Sequence, residues 1–77
     1  MNEKIMIVDD DKDIREVIQV LLSSEGYNVI EASNGKEALE LVDDDTDLII
    51  LDVMMPEMNG YQACVLLREK TKAPILF

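Results

Sequence analysis

Short apolar runs alternate with segments of helical periodicity along the chain, and this alternation is what most constrains the fold. Four runs are typical of strands: residues 5–8, 27–32, 48–51 and 73–77. Between them, apolar residues recur at helical spacing in three segments: residues 14–22, 38–42 and 60–71. The order βαβαβαβ predicts an α/β fold whose parallel sheet is built by right-handed crossovers. Ligand sites in such sheets lie at the carboxyl ends of the strands.

Two of the strands, residues 5–8 and 48–51, are apolar at every position, which is typical of strands covered by helices on both faces. Both end in carboxylates, because Asp9 and Asp10 follow the first and Asp52 follows the second. An ionised carboxylate is costly to desolvate unless it is compensated, and no Lys or Arg lies near Asp52 in the sequence. If the strands are neighbours, at least three carboxylates meet at one edge. That arrangement favours a divalent cation and leaves one carboxylate able to act as a nucleophile.

The acidic run at residues 9–11 has other interpretations. Taken alone, acidic residues at a helix start can simply cap the helix and favour its dipole. The spacing of Asp9, Asp11 and Asp13 also matches the start of an EF-hand loop, but Ile14 and Val20 stand where that loop needs Gly and Glu. No glycine-rich phosphate loop follows the first strand.

Local signals predict where the helices begin and end. Gly26 is expected to end the first helix. Asn34 and Glu37 resemble a capping box at the start of the second helix, and residues 43–45 are interpreted as a solvated acidic loop. Pro56 and Gly60 fit the geometry of a loop, Gly60 through its tolerance of positive φ. The alternative for Gly60 is simple punctuation of the chain at a helix start.

Charge and composition exclude several classes of function. The net charge is −10, from 17 acidic and 7 basic residues, so we expect this chain to bind neither nucleic acid nor an anionic membrane. A single cysteine fits a reducing compartment. The sequence contains no secretory signal and no apolar stretch of roughly 20 residues, the length of a membrane span. We therefore expect a cytoplasmic protein.

Four motifs together resemble the receiver domain of bacterial two-component response regulators. They are Ile-Met-Ile-Val-Asp-Asp-Asp (5–11), Asn-Gly-Lys-Glu-Ala-Leu (34–39), Leu-Ile-Ile-Leu-Asp-Val-Met-Met-Pro-Glu-Met-Asn-Gly (48–60) and Ala-Pro-Ile-Leu-Phe (73–77). The third motif is the most specific. The resemblance implies a flavodoxin-like receiver fold with strand order 2-1-3-4. It also implies a signalling module that catalyses at most its own phosphotransfer and dephosphorylation.

By this resemblance Asp52 is the phosphoacceptor of a phosphorelay, and the phosphoryl donor is a sensor histidine kinase. Asp10 is a direct Mg²⁺ ligand, Asp9 assists through water, and the backbone carbonyl of Met54 is a further ligand. Asp11 and Asp13 have no role in this scheme and are expected to form the helix start. The parent protein is expected to regulate transcription through a DNA-binding domain. The alternative from a different class is a non-phosphorylated protein–protein interaction module.

The sequence also departs from the family pattern. A receiver continues into a Ser or Thr, a fifth strand that ends in Lys, and a last helix, so residues 1–77 correspond to a partial receiver domain. The run at residues 74–77 is then expected at an open edge of the sheet. An unpaired apolar edge is a template for another chain. We therefore expect a homo-oligomer that forms through this edge or by exchange of elements.

Overall fold

The computed structural model describes residues 3–55 and 58–77. Seven elements follow in the predicted alternation: β1 (Lys4–Val8), α1 (Lys12–Ser24), β2 (Asn28–Ala32), α2 (Gly35–Leu41), β3 (Thr46–Leu51), α3 (Gly60–Arg68) and β4 (Ile75–Leu76). The last two are shorter than predicted. Helix α3 ends at Arg68, whose guanidinium donates to the carbonyls of Thr71 and Ala73 in the next loop. Only two residues of the last apolar run form a strand.

The four strands form one parallel sheet in the order β2-β1-β3-β4, which confirms the predicted order. Strand β2 lies at one edge of the sheet, and β4 lies at the other. Strands β1 and β3 are neighbours in the middle of the sheet. Their carboxyl ends therefore lie side by side, because parallel neighbours that start together also end together.

The main core lies between the sheet and helices α2 and α3. It contains Met6 and Val8 from β1, Ile49 and Leu51 from β3, and small residues of the helices such as Ala38 and Ala63. Ala38 and Ala63 are fully buried, and α2 and α3 contact each other directly. Helices α2 and α3 together therefore cover this face of the sheet.

The prediction that β3 is buried on both faces is wrong. Ile49 and Leu51 are buried, whereas the alternate residues Leu48 and Ile50 are only half-buried. Successive strand residues point to opposite faces, so Leu48 and Ile50 lie on the face that carries α1. Helix α1 contacts β1 and β2, and none of its own residues is buried. This face of the sheet is therefore the less completely covered of the two.

The helix termini follow the sequence signals with one correction. Gly26 lies just past the end of α1 with a φ of 93°, so it ends the helix as predicted. Asn34 caps α2 by accepting a hydrogen bond from the Glu37 N–H at 2.7 Å. In a capping box the Glu37 carboxylate would accept from the Asn34 N–H. It accepts from the Ser33 N–H instead, so this half of the prediction is wrong. The capping box that does form lies at the start of α3, between Asn59 and Gln62.

Among residues 3–55 and 58–77 we find no helix with both the length and the apolar character needed to cross a membrane.

Candidate functional site

Three carboxylates meet at the carboxyl edge of the sheet. The backbone N–H of Asp9 donates to Ala32 at the end of β2, and that of Asp52 donates to Val8 at the end of β1. These two bonds continue the strand pairing by one residue and fix the backbone positions of Asp9 and Asp52. Carboxylate oxygens of Asp9, Asp10 and Asp52 all lie within 4.8 Å of one another. We call these three residues the carboxyl-edge cluster.

Local hydrogen bonds orient two of the three carboxylates. One oxygen of Asp9 accepts from the Asp11 N–H at 2.9 Å, and one oxygen of Asp52 accepts from the Met54 N–H at 3.0 Å. Both side chains are half-buried, whereas Asp10 is exposed. Each of these bonds spans two residues, as in the turns that Asp commonly forms with its own backbone. The loops therefore hold Asp9 and Asp52 in place before any ligand arrives.

The environment of Asp9 disfavours its charge. Burial raises the pKa of the Asp9 carboxyl above its ordinary value, and repulsion by Asp52, Asp10 and Asp11 raises it further. The hydrogen bond from the Asp11 N–H opposes this effect. A cation placed among the three carboxylates would relieve both the burial cost and the repulsion.

Asp11 is separate from the cluster, as predicted. Its side chain accepts from the N–H groups of Asp13 and Ile14, at 2.9 and 3.3 Å, and so caps the start of α1. Asp13 lies in the first turn of that helix. The interpretation of Asp11 and Asp13 as a helix start is confirmed.

Gly60 lies against the backbone of Asp52 at a helix start, which was one of the two interpretations of this glycine. It begins α3 and does not have a positive φ. A Cβ atom added there would lie 2.5 Å from both the Asp52 carbonyl oxygen and the Val53 Cα. The Gly60 N–H also donates to the Val53 carbonyl at 3.1 Å. The residue is a glycine because α3 begins directly against the backbone of the phosphoacceptor candidate; Pro56 lies outside the described residues.

Sequence reasoning missed Arg15, which lies on α1 beside the cluster. Its Nη1 donates to the backbone carbonyl of Asp9 at 2.6 Å, and its Nε donates to Glu31 at 3.2 Å. The available signal was helical spacing, because residue 15 lies one turn after the capping residue Asp11 and so faces back toward the strand end.

The carboxyl-edge cluster fits a hard divalent cation. Carboxylate oxygens are the donors that Mg²⁺ prefers, and an exposed position such as Asp10 suits an ion that keeps several waters. In the part of the chain that the structure describes, the ion pairs join Lys4 to Asp43 and Arg15 to Glu31, so neither involves these three carboxylates. The Met54 N–H contacts Asp52, while the role of its carbonyl stays a prediction.

Comparison with known families gives one match. The response regulator receiver domain family matches residues 5–77. Among curated relatives, the chain is similar to the uncharacterised transcriptional regulatory protein YrkP of Bacillus subtilis, with 44% identity over 77 residues. It is also similar to the transcriptional regulatory protein CpxR of Escherichia coli, with 45% identity over 73 residues. The alignments cover 100% and 95% of this chain but only 33% and 32% of those proteins, so the chain spans about a third of their length.

Solved structures agree with this match. One match is a crystal structure of the response regulator protein TrrA from Thermotoga maritima in complex with Mg²⁺ and BeF. The two sequences are 38% identical and the structures superpose with a TM-score of 0.84, over 96% of this chain and 67% of TrrA. TrrA has also been crystallised with the histidine kinase ThkA, and that complex matches with 39% identity and a TM-score of 0.84, covering 95% of this chain and 65% of the matched one.

Proposed function

Because this chain belongs to the response regulator receiver domain family, we propose that it accepts a phosphoryl group on Asp52 in a Mg²⁺-dependent reaction. The observation that carries the proposal is the carboxyl-edge cluster, where oxygens of Asp9, Asp10 and Asp52 lie within 4.8 Å of one another. Carboxylates crowded at the end of a buried strand destabilise the fold unless hydrogen bonds or a cation compensate their charge.

Each residue has a separate role in this proposal. Asp10 and Asp52 would hold the ion directly, Asp9 would act through water, and the Met54 carbonyl would complete the protein ligands. A bound Mg²⁺ supplies charge neutralisation for the incoming phosphoryl oxygens. The Met54 N–H holds one Asp52 oxygen at 3.0 Å and so orients the carboxylate for in-line attack.

Asp52 is the only nucleophile that this chain supplies to the transfer; Asp9, Asp10 and the Met54 carbonyl contribute through the ion. A carboxylate oxygen of Asp52 attacks the phosphorus of the donor, and the bond from phosphorus to the donor nitrogen or oxygen breaks. The electron pair leaves with the donor group, which takes up a proton if it is an imidazole. The product is an acyl phosphate on Asp52.

We propose a sensor histidine kinase as the physiological donor. The support is that the related TrrA forms a complex with a histidine kinase. Since this chain spans about a third of its transcription-regulator relatives, we also propose that the whole protein regulates transcription. A DNA-binding output domain would then lie outside these residues.

Intact-mass measurement after incubation with a small acyl phosphate and Mg²⁺ tests the proposal. We expect one added phosphoryl group in the wild-type chain, none in Asp52→Asn, and none when Mg²⁺ is chelated. Asp47→Asn is the matched control, because Asp47 is an exposed aspartate at the start of β3, and it should be modified like the wild type. An unmodified wild-type chain that is folded and binds Mg²⁺ would favour the interaction-module alternative.

We further propose that this 77-residue chain self-associates through β4. Strand β4 lies at the edge of the sheet, and Leu76 and Phe77 are 58% and 59% exposed. The Phe77 ring also contacts Tyr61 of α3, with centroids 5.4 Å apart, so the exposed apolar surface continues onto that helix. The charge of −10 opposes association, so sedimentation should show a dimer that strengthens as salt screens the charge. A compact monomer at every protein and salt concentration would refute this proposal.

A further inference from the structure

We propose that Arg15 is a positioning residue for the carboxyl-edge cluster, because its guanidinium fixes the peptide that joins Asp9 to Asp10. The inference rests on the magnesium site proposed above. It assigns no contact between Arg15 and the phosphoryl group, and none with the ion.

The side chain of Arg15 joins three elements. It starts on α1, donates from Nη1 to the Asp9 carbonyl at the end of β1, and donates from Nε to Glu31 on β2. The distances are 2.6 and 3.2 Å, and the side chain is only 14% exposed, against 40% for Glu31. A side chain with two partners and little solvent contact has few alternative rotamers.

The bond to the Asp9 carbonyl fixes the direction of the chain at Asp10. A peptide unit is planar, so an anchored Asp9 carbonyl sets the orientation of the whole Asp9–Asp10 unit. The other side of Asp9 is anchored as well, because its N–H donates to the Ala32 carbonyl at 3.1 Å. Asp10 is exposed, and within residues 3–55 and 58–77 no hydrogen bond is described for its own carboxylate. The orientation of this side chain therefore depends on the backbone that carries it.

The Arg15 guanidinium donates its hydrogen bonds to the Asp9 carbonyl and to Glu31, and not to the carboxylates of the cluster. A cation that paired directly with Asp9 or Asp52 would occupy the oxygens needed for a metal ion. Glu31 offsets the charge of Arg15, so the cluster keeps its attraction for a divalent ion. Lysine cannot reproduce this geometry, because it carries one donor nitrogen where arginine presents a planar fork.

A role through charge and a role through position predict opposite changes in Mg²⁺ affinity when Arg15 is replaced by Ala. If Arg15 acted only through its charge, Arg15→Ala would make the site more negative and would tighten Mg²⁺ binding. If it acts by position, Arg15→Ala weakens binding although the site becomes more negative. Arg15→Lys keeps the charge and removes the fork, so any weakening in that variant reflects position. Loss of a comparable partner behind a metal ligand lowers metal affinity by about 10-fold to 100-fold.

The test is a Mg²⁺ titration followed by amide NMR shifts at residues 9–11 and 52–54, which reports affinity for the folded population alone. We expect Arg15→Lys and Arg15→Ala to weaken Mg²⁺ by about 10-fold. Glu31→Gln, which leaves Arg15 in place but loosens it, should weaken Mg²⁺ by a smaller factor. Lys12→Ala is the charge control, since Lys12 is an exposed cation on the same helix, and its affinity should be equal or tighter.

Wild-type affinity in Arg15→Lys, or tighter binding in Arg15→Ala, would overturn the positioning role while leaving the magnesium site intact. Absence of Mg²⁺ binding to the folded wild-type chain would instead refute the site on which the inference rests. If Arg15→Ala does not fold, Arg15→Lys still decides the question, because it keeps the charge and removes only the fork. A purely structural role would lower the free energy of unfolding in these variants without changing the affinity of the folded protein.

Discussion

Two acidic clusters lie at opposite ends of the same pair of central strands, and they are stabilised in opposite ways. The carboxyl-edge cluster is Asp9, Asp10 and Asp52. At the amino end of the sheet, Asp43 and Asp47 lie on either side of the start of β3; we call them the amino-end pair. Both groups consist of aspartates next to a buried strand. They differ in what surrounds them.

The amino-end pair is neutralised by the chain itself. Asp43 accepts from the Lys4 ammonium at 2.5 Å, and also from the Asp45 N–H and the Thr46 hydroxyl. Asp47 accepts from the Lys4 backbone N–H at 2.8 Å. The hydrogen bond from Lys4 lowers the pKa of the Asp43 carboxyl, although burial acts in the other direction. These aspartates are already satisfied.

The carboxyl-edge cluster is not neutralised in this way. Arg15, on the helix that follows Asp10, donates to the Asp9 carbonyl and to Glu31, and the pKa of Asp9 is raised by burial and by its acidic neighbours. The pKa shifts of Asp9 and Asp43 therefore have opposite signs. The amino-end pair is thus part of the scaffold, whereas the carboxyl-edge cluster lacks an internal cation, as the proposed magnesium site requires.

The largest expected effect is on metal affinity. Asp10→Ala should weaken Mg²⁺ by at least about 10-fold, because Mg²⁺ relies on one or two protein carboxylates and loses one of them. Calorimetric or NMR titration measures the change. Asp47→Ala removes the same charge from the amino end and should leave the affinity within a factor of two or so, as expected for a screened distant charge. Equal losses in the two variants would break the comparison.

The next largest effect is on the free energy of unfolding, when the glycine at each end of the sheet, Gly60 or Gly26, is replaced by Ala. Gly60→Ala should lower the free energy of unfolding by about 2–3 kcal/mol, because its Cβ would meet backbone atoms that cannot move aside. Gly26, near the amino end, has open space around it and a φ of 93°, so Gly26→Ala should cost only about 1 kcal/mol. Urea unfolding of both variants gives the two values. A smaller loss for Gly60→Ala would show that the loop after β3 adapts more easily than its contacts indicate.

Neutralising one aspartate at each end should change stability in opposite directions. Without metal, Asp9→Asn should stabilise the fold by about 1 kcal/mol, the scale of one close like-charge repulsion in a solvated setting. Asp43→Asn should destabilise it slightly, because an ion pair on the exposed surface contributes little to stability. Chemical denaturation in the presence of a chelator is the measurement. The same sign for both variants would contradict the account.

The smallest effect is the way in which the stability changes of Asp9→Asn and Asp43→Asn depend on pH. The folded state binds the Asp9 proton more tightly than the unfolded chain does, so Asp9 lowers stability as pH rises from the unfolded pKa through the raised folded pKa. Asp43 shows the reverse, and its contribution is lost as pH falls from the unfolded pKa through the lowered folded pKa. Both variants should match the wild type near pH 2–3, roughly below the ordinary carboxyl range, and diverge in opposite directions by about pH 7.

The parts of this structure that were predictable from sequence depend on local patterns. The apolar runs gave β1 and β3, and their terminal aspartates pointed to one edge because parallel neighbours end together. Asp11 as a helix cap and Gly26 as a helix end follow from short-range chemistry in the same way. The strand order came from the resemblance to receivers, and the sheet confirms it.

The parts that were missed depend on partners distant in sequence or on space. Lys4 and Asp43 are 39 residues apart, so residues 43–45 were interpreted as a solvated loop although Asp43 is held by an ion pair. Arg15 binds a backbone carbonyl, which any residue could supply, so no sequence pattern marks its target. The reason for Gly60 is a close backbone approach, which becomes visible only when α3 is placed against Asp52.

The central claim is that the two acidic clusters differ in their ability to bind a divalent ion, and Mn²⁺ tests it most directly. Mn²⁺ prefers the same oxygen ligands as Mg²⁺, and it broadens the NMR signals of nearby amides. At low Mn²⁺ concentration, we predict broadening at residues 9–11 and 52–54, with the signals of residues 43–47 retained. Broadening that is equal at both ends, or strongest at residues 43–47, would contradict the account.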